Sequence, residues 1–398
     1  MPAETPAYPA DTSRRLPLLI LLFAGFVLTG IPTVIIGPVL PTFIARWSLN
    51  DAQAGLFFTV QFASSLCGVW LTTALMSWRG YRPGLVIGYL LTGIGLVSLN
   101  APTHALALAA TATYGLGYGF VTPPTNLSAA EAGGKNSAGR VSLLNFAWGI
   151  GAVACSPLIM FALHRGLLST LLFALGIVAF TLAANFVFVS FPSEPRGAGT
   201  TARSTATSAS VAIPALGVTI AVTALFLLYV GTEASIGGWA AEHTKRLAHH
   251  SNSLSTIAPM FFYGGLMAGR AAAIWIFARV AEIRVITGAL TLAITGVLLL
   301  VAAPSQLVAA AGLTIAGVGA ASIYPLYIAW FSRWYGATAR KLGGLVFSMA
   351  SFGGSALPWL VGGLSMSAAS LRIGLLVPLV ACLMMASLIA LLHRRGLV

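Results

Sequence analysis

GLGYGFVTP, residues Gly115 to Pro123, returns as GVGAASIYP, residues Gly317 to Pro325. Both fit G-x-G-x5-P, 202 positions apart. The following segments agree, because GAVACSP ends at Pro157 and FGGSALP at Pro358, 201 positions apart. Two features recurring at nearly the same spacing mark a duplicated unit of about 200 residues. The run is no phosphate-cradling loop, since neither the strand-turn-helix context nor the P-loop lysine accompanies it. Glycines at such spacing, together with Gly149, Gly151, Gly353 and Gly354, are read as surfaces that let helices approach closely.

Working outward, SEPRGAGTTARSTATSAS at 193–210 is small and polar, and reads as a flexible linker. It divides the chain into an N-terminal half, 1–192, and a C-terminal half, 211–398. Hydrophobic residues make up 58% and charged residues 7%, which sets the chain among membrane proteins. A bilayer core of about 30 Å takes roughly 20 apolar residues per helix. Spans are expected at 17–45, 53–77, 84–101, 103–129, 141–163, 167–191, 211–241, 255–278, 284–303, 306–331, 342–365 and 371–392. The fold class is therefore all-α, twelve spans in two six-helix halves repeated in parallel. The first apolar run is too long for a signal-peptide core and reads as a retained helix.

With the N-terminus inside, sixteen of the 21 Lys and Arg residues fall on its side of the membrane. That bias puts both termini in the cytoplasm. It also accounts for the formal charge of +13 without nucleic acid, because the basic residues are dispersed among short loops. Cys67, Cys155 and Cys382 lie in three different spans and form no CxxC pair, so they read as small core residues. His243, His249 and His250 share a polar loop with Lys245 and Arg246 and read as solvated. No metal and no cofactor are expected. No nucleophile, base and oxyanion donors gather, so no enzyme is expected either.

Eight carboxylates exist in the chain, and seven have ordinary settings. Glu4 and Asp11 precede the first span, Asn50 and Asp51 sit where a helix cap belongs, Glu194 is in the linker, and Glu242 is near a helix end. Glu131 and Glu282 border loops containing Lys135, Arg140, Arg279 and Arg284, where gate ion pairs are expected. Glu233, in LYVGTEASIGGWAAEH, stands alone well inside an apolar span, eight residues before Ala241. A charge at that depth costs on the order of 2.5 to 3.5 kcal/mol and marks a functional site. Such a carboxylate can exchange a proton, hold a sodium ion, or accept hydrogen bonds from sugar hydroxyls. Amides at Gln61, Asn126 and Asn145 both donate and accept, as sugar hydroxyls require. Trp148, Tyr229, Trp239, Tyr263, Tyr324, Trp330 and Trp359 offer faces for a pyranose ring, with interface anchoring as the competing role of Trp239 and Trp359. Arg270 lies about 10 Å deeper than Glu233, too far for a direct pair, and is assigned to a cytoplasmic gate.

The twelve spans, the linker and the repeat resemble the major facilitator superfamily over essentially the whole chain. GPVLPTF at Gly37–Phe43, GLGYGFVTPPTN at Gly115–Asn126, LLNFAWGIGA at Leu143–Ala152, YVGTEASIGGW at Tyr229–Trp239, and Gly269-Arg270 most resemble its fucose permease and glucose/galactose branch. The loop SWRGYRPG keeps Arg79, Gly80 and Arg82 of the superfamily's signature, which implies gate roles for Arg79 and Arg82, but Trp78 replaces its acidic residue. The acidic residues associated with helices 1 and 4 of that branch are absent, so either Glu233 does the coupling alone or there is none. The resemblance implies a secondary active transporter moving a neutral monosaccharide by alternating access, coupled to a proton or sodium ion. A drug/proton exporter and an uncoupled sugar facilitator are the alternatives. A monomer in a bacterial inner membrane is expected.

Overall fold

The computed structural model describes residues 12–133, 137–189, 191, 216–248, 254–277, 279–335 and 339–396. The linker at 193–210, His249 and His250 lie outside the described residues. In the N-terminal half, α1 (Thr12–Val34) and α2 (Ile36–Trp47) form one crossing, followed by α3 (Asp51–Arg79), α4 (Tyr81–Ser98), α5 (His104–Gly133), α6 (Ser137–His164) and α7 (Leu168–Phe188). In the C-terminal half α8 (Leu216–Arg246), α9 (Leu254–Phe277) and α10 (Glu282–Ala302) precede a crossing made of α11 (Gln306–Ala320) and α12 (Ile323–Tyr335). Then come α13 (Ala339–Ser367) and a last crossing of α14 (Leu371–Gly374) and α15 (Leu376–Arg394). Twelve crossings result.

Prolines explain the interruptions. Pro38, Pro325 and Pro378 each follow a break by three or four residues, at Ile35, at Ala321–Ser322 and at Leu375. Proline has no N–H for the carbonyl four residues back and its ring presses against it. Nine crossings are long and apolar enough to span a membrane among the described residues. The other three crossings are α4, α5 and α9.

The repeated glycines do the same packing in each half. A Cβ on Gly115 would meet the Gln61 carbonyl of α3, and one on Gly317 would meet the Phe262 carbonyl of α9. Gly117 packs on Gly88 of α4, and Gly319 on Ala289 and Ala293 of α10. Likewise Gly151 abuts the Val27 carbonyl of α1, as Gly353 abuts the Leu227 carbonyl of α8. The sequence repeat is thus a repeat of backbone contacts, with van der Waals packing replacing the hydrophobic drive that lipid removes.

The two bundles meet through α2 and α3 against α8 and α13, and through α6 against α9. At the end carrying Asp51 and Arg246, here the closed end, polar contacts cross between them. Arg246 on α8 forks onto Asp51 on α3, with Nη1 to Oδ2 at 2.9 Å and Nη2 on Oδ1. Its Nε donates to Glu242 at 2.8 Å, and Ser365 of α13 donates to Asp51. Lys245 Nζ donates to the Pro41 carbonyl at 3.1 Å. Deeper in, Thr59 and Ser355 each donate to the other's carbonyl, at 3.0 and 3.3 Å.

At the opposite, linker end the following bonds each lie within one half. Tyr81 donates to Glu131, and Arg82 donates to the Val189 carbonyl at 2.9 Å with its guanidinium over Phe191. Glu282 accepts from Trp330 Nε1 at 2.7 Å and from Arg333 Nη1 at 2.8 Å.

Several expectations change. Helix α8 runs to Arg246 rather than Ala241, so Lys245 and Arg246 end a helix and do not float in a loop. His243 is 1% exposed, and its Nε2 is 2.9 Å from the Leu300 carbonyl. The loop reading of His243 fails because the apolar run breaks at a polar residue while the helix itself continues. Asn50, not Asp51, is the cap, in a reciprocal box with Gln53. That leaves the Asp51 carboxylate for Arg246.

Candidate functional site

With α8 spanning Leu216–Arg246, Glu233 is thirteen residues from its closed end, about 20 Å deep and close to mid-helix. The half-buried Glu233 carboxylate and the half-buried Arg270 guanidinium of α9 both come within reach of the Tyr229 hydroxyl. That hydroxyl also lies 3.2 Å from the Ala320 carbonyl, where the α11–α12 break begins. Glu233 and Arg270 both act on Tyr324 of α12, whose ring lies 5.4 Å from that of Tyr229. The proline-induced break in the eleventh and twelfth segments therefore opens the backbone where this cluster forms.

The N-terminal half completes the cluster. Tyr118 of α5, from the repeated GLGYG run, feels the charge of Glu233 and reaches the Thr33 hydroxyl. Trp148 of α6 approaches Thr33 Oγ1 with Nε1 at 3.4 Å and meets the Tyr263 ring edge-on at 6.3 Å. Tyr263 of α9 in turn feels Glu233, and its hydroxyl occupies the space a side chain at Gly237 would fill. One carboxylate, one guanidinium and four tyrosine hydroxyls, Tyr118, Tyr229, Tyr263 and Tyr324, thus converge at mid-depth from both bundles. Among the described residues Arg270 has no carboxylate within 4.0 Å, and its Nε is buried without a hydrogen-bond partner.

The remaining residues singled out from sequence lie elsewhere or are already engaged. Gln61 is 3% exposed, donates to the Thr33 carbonyl at 2.7 Å and accepts from Tyr114 at 3.1 Å, so its amide braces α1, α3 and α5. Asn126 and Asn145 donate back to their own helices, to Thr122 and Val141 carbonyls at 2.9 and 2.8 Å. Trp330 serves the Glu282–Arg333 cluster at the linker end, and Trp359 is 42% exposed on α13. Trp239 is fully buried and donates to the Pro358 carbonyl at 2.9 Å. Arg79, Arg82 and Glu131 lie at the linker end, whereas Arg270, assigned from sequence to a gate there, belongs to the central cluster. Sequence reading passed over Tyr118 and Thr33, although Tyr118 sits inside the very run that shows the repeat.

Two apolar crevices lie apart from this cluster. One of about 250 Å³ is lined by Thr244, Leu254, Phe261 and Gln306, and one of about 310 Å³ by Leu228, Leu357, Leu376 and Met384. Neither holds an ionisable side chain. No group of three His, Cys, Asp or Glu able to hold a metal occurs among the described residues.

No family model and no curated protein matches the chain. Solved structures do. A bacterial homologue of the human lysosomal transporter Spinster, inward-facing and unoccupied, superposes with a TM-score of 0.76 at 16% identity, covering 97% of this chain and 98% of that one. The D-xylose–proton symporter gives 0.75 at 17% identity, covering 94% and 96%. The major facilitator superfamily transporter FucP, in its outward conformation, gives 0.63 at 17% identity, covering 94% and 98%. Identities this low speak to architecture. Twelve crossings in two repeated bundles, matched end to end by these transporters, give this chain the major facilitator fold.

Proposed function

We propose that the protein is a secondary transporter that carries a monosaccharide across a bacterial inner membrane by alternating access, coupled to a cation at Glu233. The observation that carries this reading is the central cluster, where Glu233 meets tyrosine hydroxyls from both bundles and the Trp148 indole packs beside Tyr263. A site built from both halves is remade whenever the halves rock, which is what alternating access requires. Tyrosines supply apolar faces for a ring together with hydroxyls for its polar rim. Trp148, Tyr118, Tyr229, Tyr263 and Tyr324 are the proposed contacts, and Arg79, Arg82 and Glu131 shape the cytoplasmic rim.

The arrangement of basic residues supports both termini being cytoplasmic. The closed end is then extracytoplasmic, and the cross-bundle bonds at that end support a conformer open toward the cytoplasm. Bonds cross between halves only at that closed end among those named above. The higher superposition on an inward-facing transporter than on outward FucP agrees with this.

Counterflow of labelled monosaccharides in proteoliposomes tests transport without presupposing a driving ion. The Glu233→Gln variant then separates a coupled carrier from a facilitator. It keeps the shape but cannot ionise, so it should lose gradient-driven accumulation while retaining exchange. Accumulation by Glu233→Gln under an imposed proton or sodium gradient would remove the coupling role.

A further inference from the structure

The two opposite charges at the centre restrict what the site can carry. Arg270 has an unpartnered Nε and no carboxylate within 4.0 Å among the described residues. Glu233 shares Tyr229 and Tyr324 with it from the other side. With Glu233 ionised the empty site sums to zero charge. Once Glu233 takes up a proton, Arg270 is left as an uncompensated cation in a site that must close around its cargo. A half-buried cation left without a counter-charge in a closing site is unfavourable. A neutral sugar, the cargo anticipated from sequence, supplies hydroxyls but no charge to cancel it.

Building on the coupled-monosaccharide reading above, we propose that the cargo is a monosaccharide bearing a carboxylate, a uronic or aldonic acid, whose anion pairs with Arg270 while Glu233 carries the proton. The planar guanidinium matches a carboxylate with two parallel N–H donors, a geometry that a lysine or a hydroxyl cannot reproduce. Tyr229, standing between the two charges, serves both states. Its hydroxyl has the Ala320 carbonyl and Glu233 within reach in the empty site, and turns to the incoming carboxylate in the loaded one. The empty and fully loaded sites are both neutral, whereas proton without anion, or anion without proton, leaves a net charge. Those half-loaded states close poorly, which ties the two ligands together. One proton and one monoanion enter from the outer side and leave on the inner side, so no net charge crosses.

The test uses the full chain in proteoliposomes, with labelled D-galacturonate, D-glucuronate and D-gluconate set against D-galactose, D-glucose and L-fucose. An inward proton gradient should concentrate an acid sugar at the same rate whether the membrane potential is clamped at zero or inside-negative, and should concentrate none of the neutral sugars. Arg270→Gln should weaken binding of the acid sugar roughly 10- to 100-fold, the span of one lost charge-assisted hydrogen bond, and Arg270→Lys should recover part of it. Accumulation of a neutral sugar at a potential-dependent rate, or acid-sugar transport indifferent to Arg270→Gln, overturns the anion assignment and leaves the coupled-monosaccharide reading standing. Counterflow of none of the six sugars overturns both.

Discussion

Tyr229 shows how much a single hydroxyl can be asked to do. Its donor has the Ala320 carbonyl and Glu233 within reach, with the proposed cargo as a third partner, and its acceptor side faces Arg270. Tyr229→Phe keeps the ring that packs on Tyr324 at 5.4 Å and removes only the bridge. A lost hydrogen bond of this kind costs about 1 kcal/mol, so thermal stability should fall slightly. The accumulation ratio should fall far more, because the two charges then lose the group that relays between them. Equal losses in stability and accumulation would argue that the hydroxyl only holds α8 to the α11–α12 break. At the closed end, Arg246 serves two carboxylates at once, Asp51 across the bundle interface and Glu242 on its own helix. Its side chain is 36% exposed while that of Asp51 is 11% exposed, between a solvent-screened pair and a buried one. Asp51→Asn should therefore weaken closure by about 1 to 3 kcal/mol. Distances between spin labels on the two halves at that end should lengthen in the variant, and Asp51→Glu should shorten them again.

Among the helices, close approach of backbones is the organising interaction, and it sorts the glycines. Gly151 faces the Val27 carbonyl of α1 with no room for a Cβ, and Gly30 faces the Trp148 carbonyl in return. Gly288 on α10 has nothing within 4 Å of the equivalent position. Gly151→Ala should force α1 and α6 apart and sharply reduce the folded, monodisperse fraction in detergent. Gly288→Ala should be neutral or slightly stabilising, by up to about 1 kcal/mol of helix propensity. Comparable behaviour of the two variants would show that the packing repeat does not govern stability. The same logic applies to the prolines. Those that follow breaks by three or four residues open the backbone at three crossings, and one of these breaks, at Ala321–Ser322, presents the Ala320 carbonyl to the central cluster.

For the molecule as a whole, the cross-bundle bonds named above gather at one end. Thr59 and Ser355 bond each other across the interface, so cysteines at both positions in a background lacking Cys67, Cys155 and Cys382 should form a disulfide. Oxidation should stop counterflow, because the closed end can no longer part, while substrate binding from the linker end persists. Reduction should restore transport. Undiminished counterflow in the oxidised protein would mean that the bundles do not separate there.

The sequence by itself determined the features that are local or periodic. Apolar runs set the crossings, and the G-x-G-x5-P repeat announced two halves whose glycines make equivalent contacts on α3 and α4, and on α9 and α10. Glu233 stood out because a charge is expensive at that depth wherever the chain folds. Only the tertiary structure decided which side chains meet. Asp51 and Arg246 are 195 positions apart, and nothing in either segment names the other. Gln61 looked like a substrate ligand until Thr33 and Tyr114 were seen to occupy it, and Trp330 until Glu282 claimed its indole. Arg270 was assigned from its depth along one helix to a gate. Depth is a one-dimensional measure, and the crossing of α8, α9 and α12 brings its guanidinium to the same tyrosines as Glu233. Helix periodicity is written in neighbouring residues, whereas the partner of a buried polar group is fixed by how separate helices cross, and that is a property of the assembled bundle.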